Sequence, residues 1–214
     1  MFKQLVFLVF LLFVYATSPA QGEWVLKSDK DDIKSYSRSV ADSKLNAVKI
    51  ETVFTGSLSQ FVSVLQDVAS YDKWVYGSRS TRLLKEVSPA ELFYYSEVNF
   101  PWPATNRDFV SHVFISQDAQ TRAVRVNAKN VPGWVPVKPK IVRIERSSGE
   151  WVITPLAKGR IKVEYILQVD PGGDLPAWII NSFSSKGLIE TFKNLREWIK
   201  KPFYANAQGS FITD

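Results

Sequence analysis

The sequence has no cysteine and only one histidine, His112, among its 214 residues. It therefore forms no disulfide and no Cys-His catalytic pair, and it cannot build a zinc site from the usual ligands. No serine lies in a Gly-x-Ser-x-Gly motif, and Gly172-Gly173 lacks the spacing of a phosphate-binding loop. We expect no catalytic residue, no metal and no cofactor, and we predict that the protein is not an enzyme.

Long hydrophobic runs are also missing, except at the N-terminus. Lys3 precedes an apolar run from Leu5 to Ala16, and small residues, Ser18 and Ala20, follow it. This arrangement is typical of a secretory signal peptide. The run is shorter than the roughly 20 residues that span a bilayer. We predict cleavage after about Ala20 and a periplasmic or extracellular protein, with an uncleaved anchor as the alternative.

Charge of one sign is not concentrated anywhere in the chain. The 27 basic and 21 acidic residues give a formal charge of +6 and are scattered along the sequence. We therefore expect no nucleic-acid partner, although mild basicity suits transient contact with an anionic membrane surface. Composition shows no linker, so residues 21–203 are predicted to form one domain, followed by a tail at 204–214. We expect a monomer.

The order of the predicted elements is the most informative feature that is present. About nine strand-like segments precede one long amphipathic helix, Pro176 to Lys201. Ser57 or Ser59 can cap a shorter helix after the second strand, and Ser147-Ser148-Gly149 is predicted as a turn. The predicted strands are Ile33–Val40, Ala47–Thr55, Thr81–Val87, Leu92–Phe100, Asp108–Ser116, Arg122–Asn130, Lys140–Arg146, Glu150–Thr154 and Arg160–Val169.

The closing helix has one clear apolar face. Its large apolar residues step by four, three and four positions: Leu188, Phe192, Leu195 and Ile199. The beginning of the helix carries more apolar groups than one face needs: Trp178, Ile179, Ile180 and Phe183. One helix covers only part of a long sheet, so the sheet either packs solidly around it or encloses a tunnel.

Three stretches of the sequence resemble one family, the START lipid-transfer domains. Phe100–Val110 resembles the family signature Pro-x-x-x-Arg-Asp-Phe-Val, Trp151–Leu156 its penultimate hairpin, and Asp170–Asn181 the beginning of its last helix. Trp24 and Tyr71–Trp74 agree as well, so the resemblance covers about residues 23 to 201.

The resemblance implies an α+β helix-grip fold. A curved antiparallel sheet of about nine strands would wrap around the C-terminal helix and enclose an internal hydrophobic tunnel. The implied function is to bind one lipid or other hydrophobic small molecule and to carry it between membranes. The implied lid consists of the last helix and the loop Val131–Pro139, with Trp134 and Trp178 as membrane contacts. Trp134 either enters the membrane interface or folds back onto the domain.

Strand alternation and helix position give the candidate ligand-binding residues. They are Tyr94, Ser96, Val98, Phe109, Ser111 and Val113 from the sheet, Ile179, Phe183 and Phe192 from the helix, and Arg107 at the tunnel end. Arg107 either meets a ligand head group or joins strands and loops.

The sequence departs from the steroid-binding members of the family at one buried pair. The position of their buried arginine is Val113 here, and that of its acidic partner falls near Ser96. The predicted tunnel is therefore apolar in its middle. Two alternatives stay open: a cyclase- or hydrolase-type enzyme acting on a hydrophobic substrate in the same cavity, and a solid interaction module without a ligand.

Overall fold

The computed structural model describes residues 22–41, 43, 45–102, 104–205, 207 and 211–214, without the side chains of residues 177, 182 and 183. The predicted signal peptide lies outside the described residues. The described strands are β1 Val25–Lys30, β2 Ile33–Ser39, β3 Asn46–Thr55, β4 Ser78–Ser88, β5 Glu91–Val98, β6 Arg107–Gln117, β7 Val124–Asn130, β8 Val142–Arg143, β9 Arg146–Leu156 and β10 Arg160–Asp170. The α-helices are α1 Leu58–Gln66, α2 Tyr71–Trp74, α3 Ala177–Trp198 and α4 Pro202–Ala205.

The strands form one continuous sheet in the order β1-β2-β3-β10-β9-β7-β6-β5-β4. Neighbours on this path are antiparallel, and only the two-residue β8 pairs parallel, with β6. The predicted α+β fold, an antiparallel sheet with a C-terminal helix, is confirmed. The prediction missed β1, whose residues are mostly exposed and whose pairing with β2 shifts register between Leu26 and Ser28, so it shows no clean alternation.

Local sequence explains how the first elements form. In β3 the apolar side chains of Val48, Ile50 and Phe54 alternate onto one buried face. Ser57 then caps α1, because its hydroxyl accepts a hydrogen bond from the Gln60 amide at 3.1 Å. The apolar stripe of α1, which includes Phe61, is buried against the sheet. The strand, cap and helix together close one end of the fold.

Helix α3 is fixed to the sheet mainly through its C-terminal half. Phe192 and Leu195 are almost completely buried there. The Phe192 ring lies 5.4 Å from the Trp151 ring on β9 and 6.3 Å from the Phe54 ring on β3. Phe54 also makes an edge-to-face contact with Phe61 at 5.2 Å. This aromatic cluster fills the space between helix and sheet at that end.

The predicted turn at Ser147–Gly149 is wrong. These residues belong to β9 and pair with β10, where Gly149 lies opposite Leu167. A side chain at Gly149 would meet the Tyr165 hydroxyl at 2.9 Å, so glycine is needed here for close approach rather than for a reversal. The strand predicted at Lys140–Arg146 is correspondingly reduced to β8.

A network of charged groups lies on the outer face of β5 and β6, opposite to α3. Asp108 is fully buried and receives hydrogen bonds from Arg143 at 2.7 and 3.1 Å and from the Tyr95 hydroxyl at 3.1 Å. Arg143 also donates to two backbone carbonyls of the proline-rich loop after β7. Lys138 of that loop binds the buried Glu97 at 3.0 Å. These contacts fasten the loop to the outside of the sheet.

The C-terminal residues described by the structure pack onto the same domain. Tyr204 and Ile212 are buried, and the Tyr204 hydroxyl donates to Asp67 at 2.6 Å. Asp214 accepts a hydrogen bond from the Ser59 amide in the first turn of α1 at 2.8 Å. Among the described helices, none has the length and apolar character that crossing a membrane requires.

We expect Asp108→Asn to lower the free energy of unfolding by about 3–5 kcal/mol, because it leaves the partly buried Arg143 without its counter-charge. Urea denaturation measures this change. Glu150→Gln is the control: it removes a carboxylate that pairs with Arg125 at 3.0 Å on an exposed part of the sheet. We expect it to cost less than about 1 kcal/mol. Equal losses in the two variants would contradict the role given to Asp108.

Candidate functional site: a cavity beneath the C-terminal helix

A cavity of about 230 Å³ lies between the inner face of the sheet and the middle of α3. The helix contributes Ser184, Gly187, Leu188 and Thr191, all of which precede the plug formed by Phe192 and Leu195. The interior is therefore filled at one end and hollow at the other. The remaining lining residues are Leu65, Tyr71, Trp74, Val75, Tyr76, Tyr94, Ser96, Val98, Phe100, Phe109, Ser111, Val113, Val126, Ala128, Asn130, Ile144, Ser147, Gly149, Trp151, Tyr165, Leu167 and Val169.

The six candidate residues on the sheet all line this cavity. They are Tyr94, Ser96 and Val98 of β5, and Phe109, Ser111 and Val113 of β6. The two strands pair without a register shift from Glu91–Phe114 to Val98–Arg107, so alternation along both strands is uninterrupted. Their placement follows the prediction, and their role in binding a ligand stays a prediction.

The two helix candidates whose side chains are described, Ile179 and Phe192, do not line the cavity. Phe192 is 1% exposed and packs among the rings of Trp151, Tyr165 and Phe54, so its size closes the cavity instead of lining it. Ile179 is half-buried outside the lining. The Phe183 side chain lies outside the described residues.

Arg107 joins two loops, as the second reading of this residue proposed. Its guanidinium donates to the backbone carbonyls of Pro171 at 3.4 Å and Gly172 at 3.2 Å, and also to that of Thr105. Burial lowers the pKa of this guanidinium. The Phe100 ring, which lines the cavity, lies 4.5 Å from it. Arg107 thus connects the loop after β5 to the segment that leads into α3, and it does not line the cavity.

The loop Val131–Pro139 does not cover the cavity. All its residues are described, and none belongs to the lining. Trp134 folds back onto the outer face, where its ring stacks on Phe93 at 4.1 Å; Phe93 also stacks with His112 at 4.3 Å. The outer charge network explains this position, because the Arg143 and Lys138 contacts hold the loop on the face of the sheet opposite the cavity. Trp134 thus takes the second of the two positions expected for it, and a lid role for this loop stays a prediction.

Two exposed tryptophans lie at the hollow end instead. Trp102 is 93% exposed in the loop after β5, two residues beyond the cavity-lining Phe100. Trp178 is 72% exposed in the first turn of α3. Arg107 joins the two segments, because it donates to Thr105 after Trp102 and to Pro171 and Gly172 before Trp178. The sequence analysis named Trp178 but missed Trp102.

The cavity wall is apolar and uncharged. Among the described residues that line it, none is Asp, Glu, Lys, Arg or His. Burial raises the pKa of Tyr94 to about 12 and raises that of Tyr165 well above its ordinary value, so both phenols stay neutral at physiological pH. Trp74 is 2% exposed, and its indole N–H has no hydrogen-bond partner.

Several wall residues escaped the sequence analysis. On β10, Tyr165, Leu167 and Val169 face the cavity, and they continue the alternation of the buried Ile161 and Val163. The same period of two that identified the β5 and β6 residues could have found them. Trp74 ends the short helix α2 and Tyr76 lies in the turn after it, so neither has such a signal. In the described part of the chain, no group of three acidic, histidine or cysteine residues could hold a metal ion.

Comparisons with known proteins agree with this architecture. A family model described as the START domain matches residues 14–202. An uncharacterized protein of Pseudomonas aeruginosa is 31% identical over 89% of this chain and 93% of its own length. The phosphatidylcholine transfer protein of Bos taurus is 24% identical over 80% of this chain and 82% of its own.

Solved structures are similar as well. A STAR-related lipid transfer protein from Xanthomonas axonopodis is 31% identical with a TM-score of 0.78, covering 83% of this chain and 99% of that chain. An aromatase/cyclase from Streptomyces shares the fold at 13% identity, with a TM-score of 0.53 over 73% of this chain and 94% of that chain. The second likeness concerns the fold alone.

We expect Gly149→Ala to destabilise the fold by about 1–3 kcal/mol, because its methyl group would push the Tyr165 ring from its site between Trp151 and Phe192. Chemical denaturation measures the loss. Ser148→Ala, on the exposed face of the same strand, is the control and should change stability by less than about 0.5 kcal/mol. A neutral Gly149→Ala variant would show that Tyr165 has room to move.

Proposed function

Because the chain belongs to the START domain family, we propose that it binds one hydrophobic, lipid-like ligand in the cavity and carries it between membranes. The observation that carries this proposal is the hollow beneath the middle of α3. It is lined by the inner face of five strands and has a wall without charged residues in its described part. At about 230 Å³ it lies just below the range for small-molecule pockets, about 300–1,000 Å³.

Binding of this kind requires no covalent reaction. Each 100 Å² of apolar ligand surface removed from water is worth roughly 2.5 kcal/mol before the costs of association. The wall fits the ligand and keeps water away from it. Uncharged groups that can form hydrogen bonds to the ligand are also present, including the hydroxyls of Ser96, Ser111 and Tyr94. Carriage needs only that the ligand leave this wall for a membrane.

The hollow end is the part of the molecule best suited to meet a membrane. Tryptophan side chains prefer the boundary between water and lipid, and Trp102 and Trp178 both expose large indole surfaces there. The two residues lie on segments joined through Arg107. We propose this pair of tryptophans, in place of Trp134, as the transient membrane contact.

An enzyme of the cyclase or hydrolase type has weaker support. Such an enzyme needs an acid or base that is matched to its working pH. The described wall offers only phenols, hydroxyls and one amide as exchangeable or polar groups beside the indoles, and burial raises the phenol pKa values away from neutrality. Non-enzymatic binding is therefore our proposal.

For residues 1–20, the sequence pattern supports export to the periplasm or beyond.

Purified from the organism that makes it, the protein should carry one lipid-like molecule per chain. Native mass spectrometry measures the added mass, and lipid extraction followed by fragmentation identifies the molecule. Protein denatured before injection controls for adventitious adducts. Repeated spectra of an empty, folded chain, together with no uptake from mixed-lipid vesicles, would contradict the carrier function.

We expect Trp178→Ala and Trp102→Ala each to slow lipid transfer between vesicles by about fivefold, the factor that corresponds to about 1 kcal/mol of lost membrane contact. Equilibrium loading should stay unchanged, because neither residue lines the cavity. Trp134→Ala is the matched control, since it removes the same side chain from the outer face. The assignment fails if only the Trp134 variant slows transfer.

A further inference from the structure

The charge distribution around the cavity carries an inference about which lipid fits. None of the described lining residues is charged, although the chain has 27 basic and 21 acidic residues. Charges on the neighbouring strands point to the other face. On β5 and β6, Glu97 and Asp108 alternate with the lining residues and end in the outer network. The wall is thus neutral throughout its described part.

Arg107, the buried cation closest in sequence to this wall, is not among the lining residues. It is 2% exposed, and three of its five N–H groups donate to backbone carbonyls of the loops that it joins. Arg107 therefore places no charge in the described wall.

Burying an ion without a partner is expensive. The effective cost is several kcal/mol per charge even after local relaxation. Neutral polar groups cost far less where hydrogen-bond partners are present. The wall contains such partners, because the hydroxyl-bearing residues Tyr94, Ser111, Ser147, Ser184 and Thr191 all belong to the lining.

These hydroxyls favour an oxygen-bearing ligand over a pure hydrocarbon. A buried hydroxyl that loses its hydrogen bond to water is costly unless it finds another partner. A hydroxyl or ester oxygen of the ligand can be that partner, whereas a hydrocarbon cannot.

We propose that the cavity selects a lipid whose enclosed part is uncharged and carries oxygen, such as an acylglycerol, a fatty alcohol or a hydroxylated polycyclic lipid. Ionised fatty acids and phospholipid head groups are excluded from the wall. This specificity rests on the proposed function of lipid binding. The name of the Bos taurus relative would suggest phosphatidylcholine as the ligand, and the proposal for this chain differs because that lipid has a charged head group.

The test uses probes that share one identical oleoyl chain and differ in the charge of the head group. Monoolein, oleoyl lysophosphatidylcholine and oleate are each added to the folded protein at pH 8, below the concentration at which they form micelles. Native mass spectrometry counts the one-to-one complexes. We expect the Kd for monoolein to be at least about tenfold lower than for either charged probe.

The outcomes separate the two proposals. Monoolein binding with tenfold discrimination supports the neutral-lipid assignment. Equal or preferential binding of oleate or the lysophospholipid overturns the assignment and leaves lipid carriage standing. Failure of all three probes, together with failure of vesicle uptake, overturns lipid carriage itself.

A gain-of-function variant tests the physical reason. Ser184→Lys places a cation at the cavity wall on a helix that accommodates lysine at least as well as serine. The variant should bind oleate at least about tenfold more tightly than the wild type does. Ser184→Met, of similar length and no charge, is the matched control and should show no gain. A folded Ser184→Lys variant without any gain would contradict counter-charge as the cause of selection.

Discussion

The packing of five aromatic rings between α3 and the sheet decides where the interior is full and where it is hollow. Phe54, Phe61, Trp151, Tyr165 and Phe192 form one contact series at centroid distances from 4.1 to 6.3 Å. The series fixes the helix from Phe192 onward. The two turns before Phe192 are then held over a part of the sheet that they do not fill, and the cavity is the result.

Alternation along β5 and β6 places the cavity-lining side chains on one face of the sheet and the charged network on the other. Tyr94, Ser96 and Val98 face the cavity, while Tyr95 and Glu97 between them face the outer charge network. A single register therefore places the apolar wall inside and the ion pairs outside. A slip by one residue would exchange the two faces, and the long antiparallel pairing of β5 with β6 prevents it.

The sequence was sufficient to predict the fold and the six wall residues on β5 and β6, because those strands have no bulge. Sequence reasoning does not place Phe192 correctly. Phe192 fills space, and the helix residues that line the cavity include the small Ser184 and Gly187. Hydrophobic periodicity identifies the buried face of a helix but does not distinguish a residue that touches a void from one that fills it. The sequence also leaves the position of the Trp134 loop open, because that position depends on the buried Asp108–Arg143 pair, a contact between distant residues that no local pattern reveals.

The seven tryptophans are distributed so that they form a set of built-in optical reporters. Trp74 and Trp151 belong to the cavity wall, Trp102 and Trp178 are open to solvent, and Trp134 is stacked on the outside. Indole emission shifts toward the blue in a dry, apolar environment. In a variant that keeps one tryptophan and replaces the others with phenylalanine, the emission wavelength would report on one site alone. That site would be the cavity wall, one of the exposed segments or the outer face, according to the tryptophan that is kept.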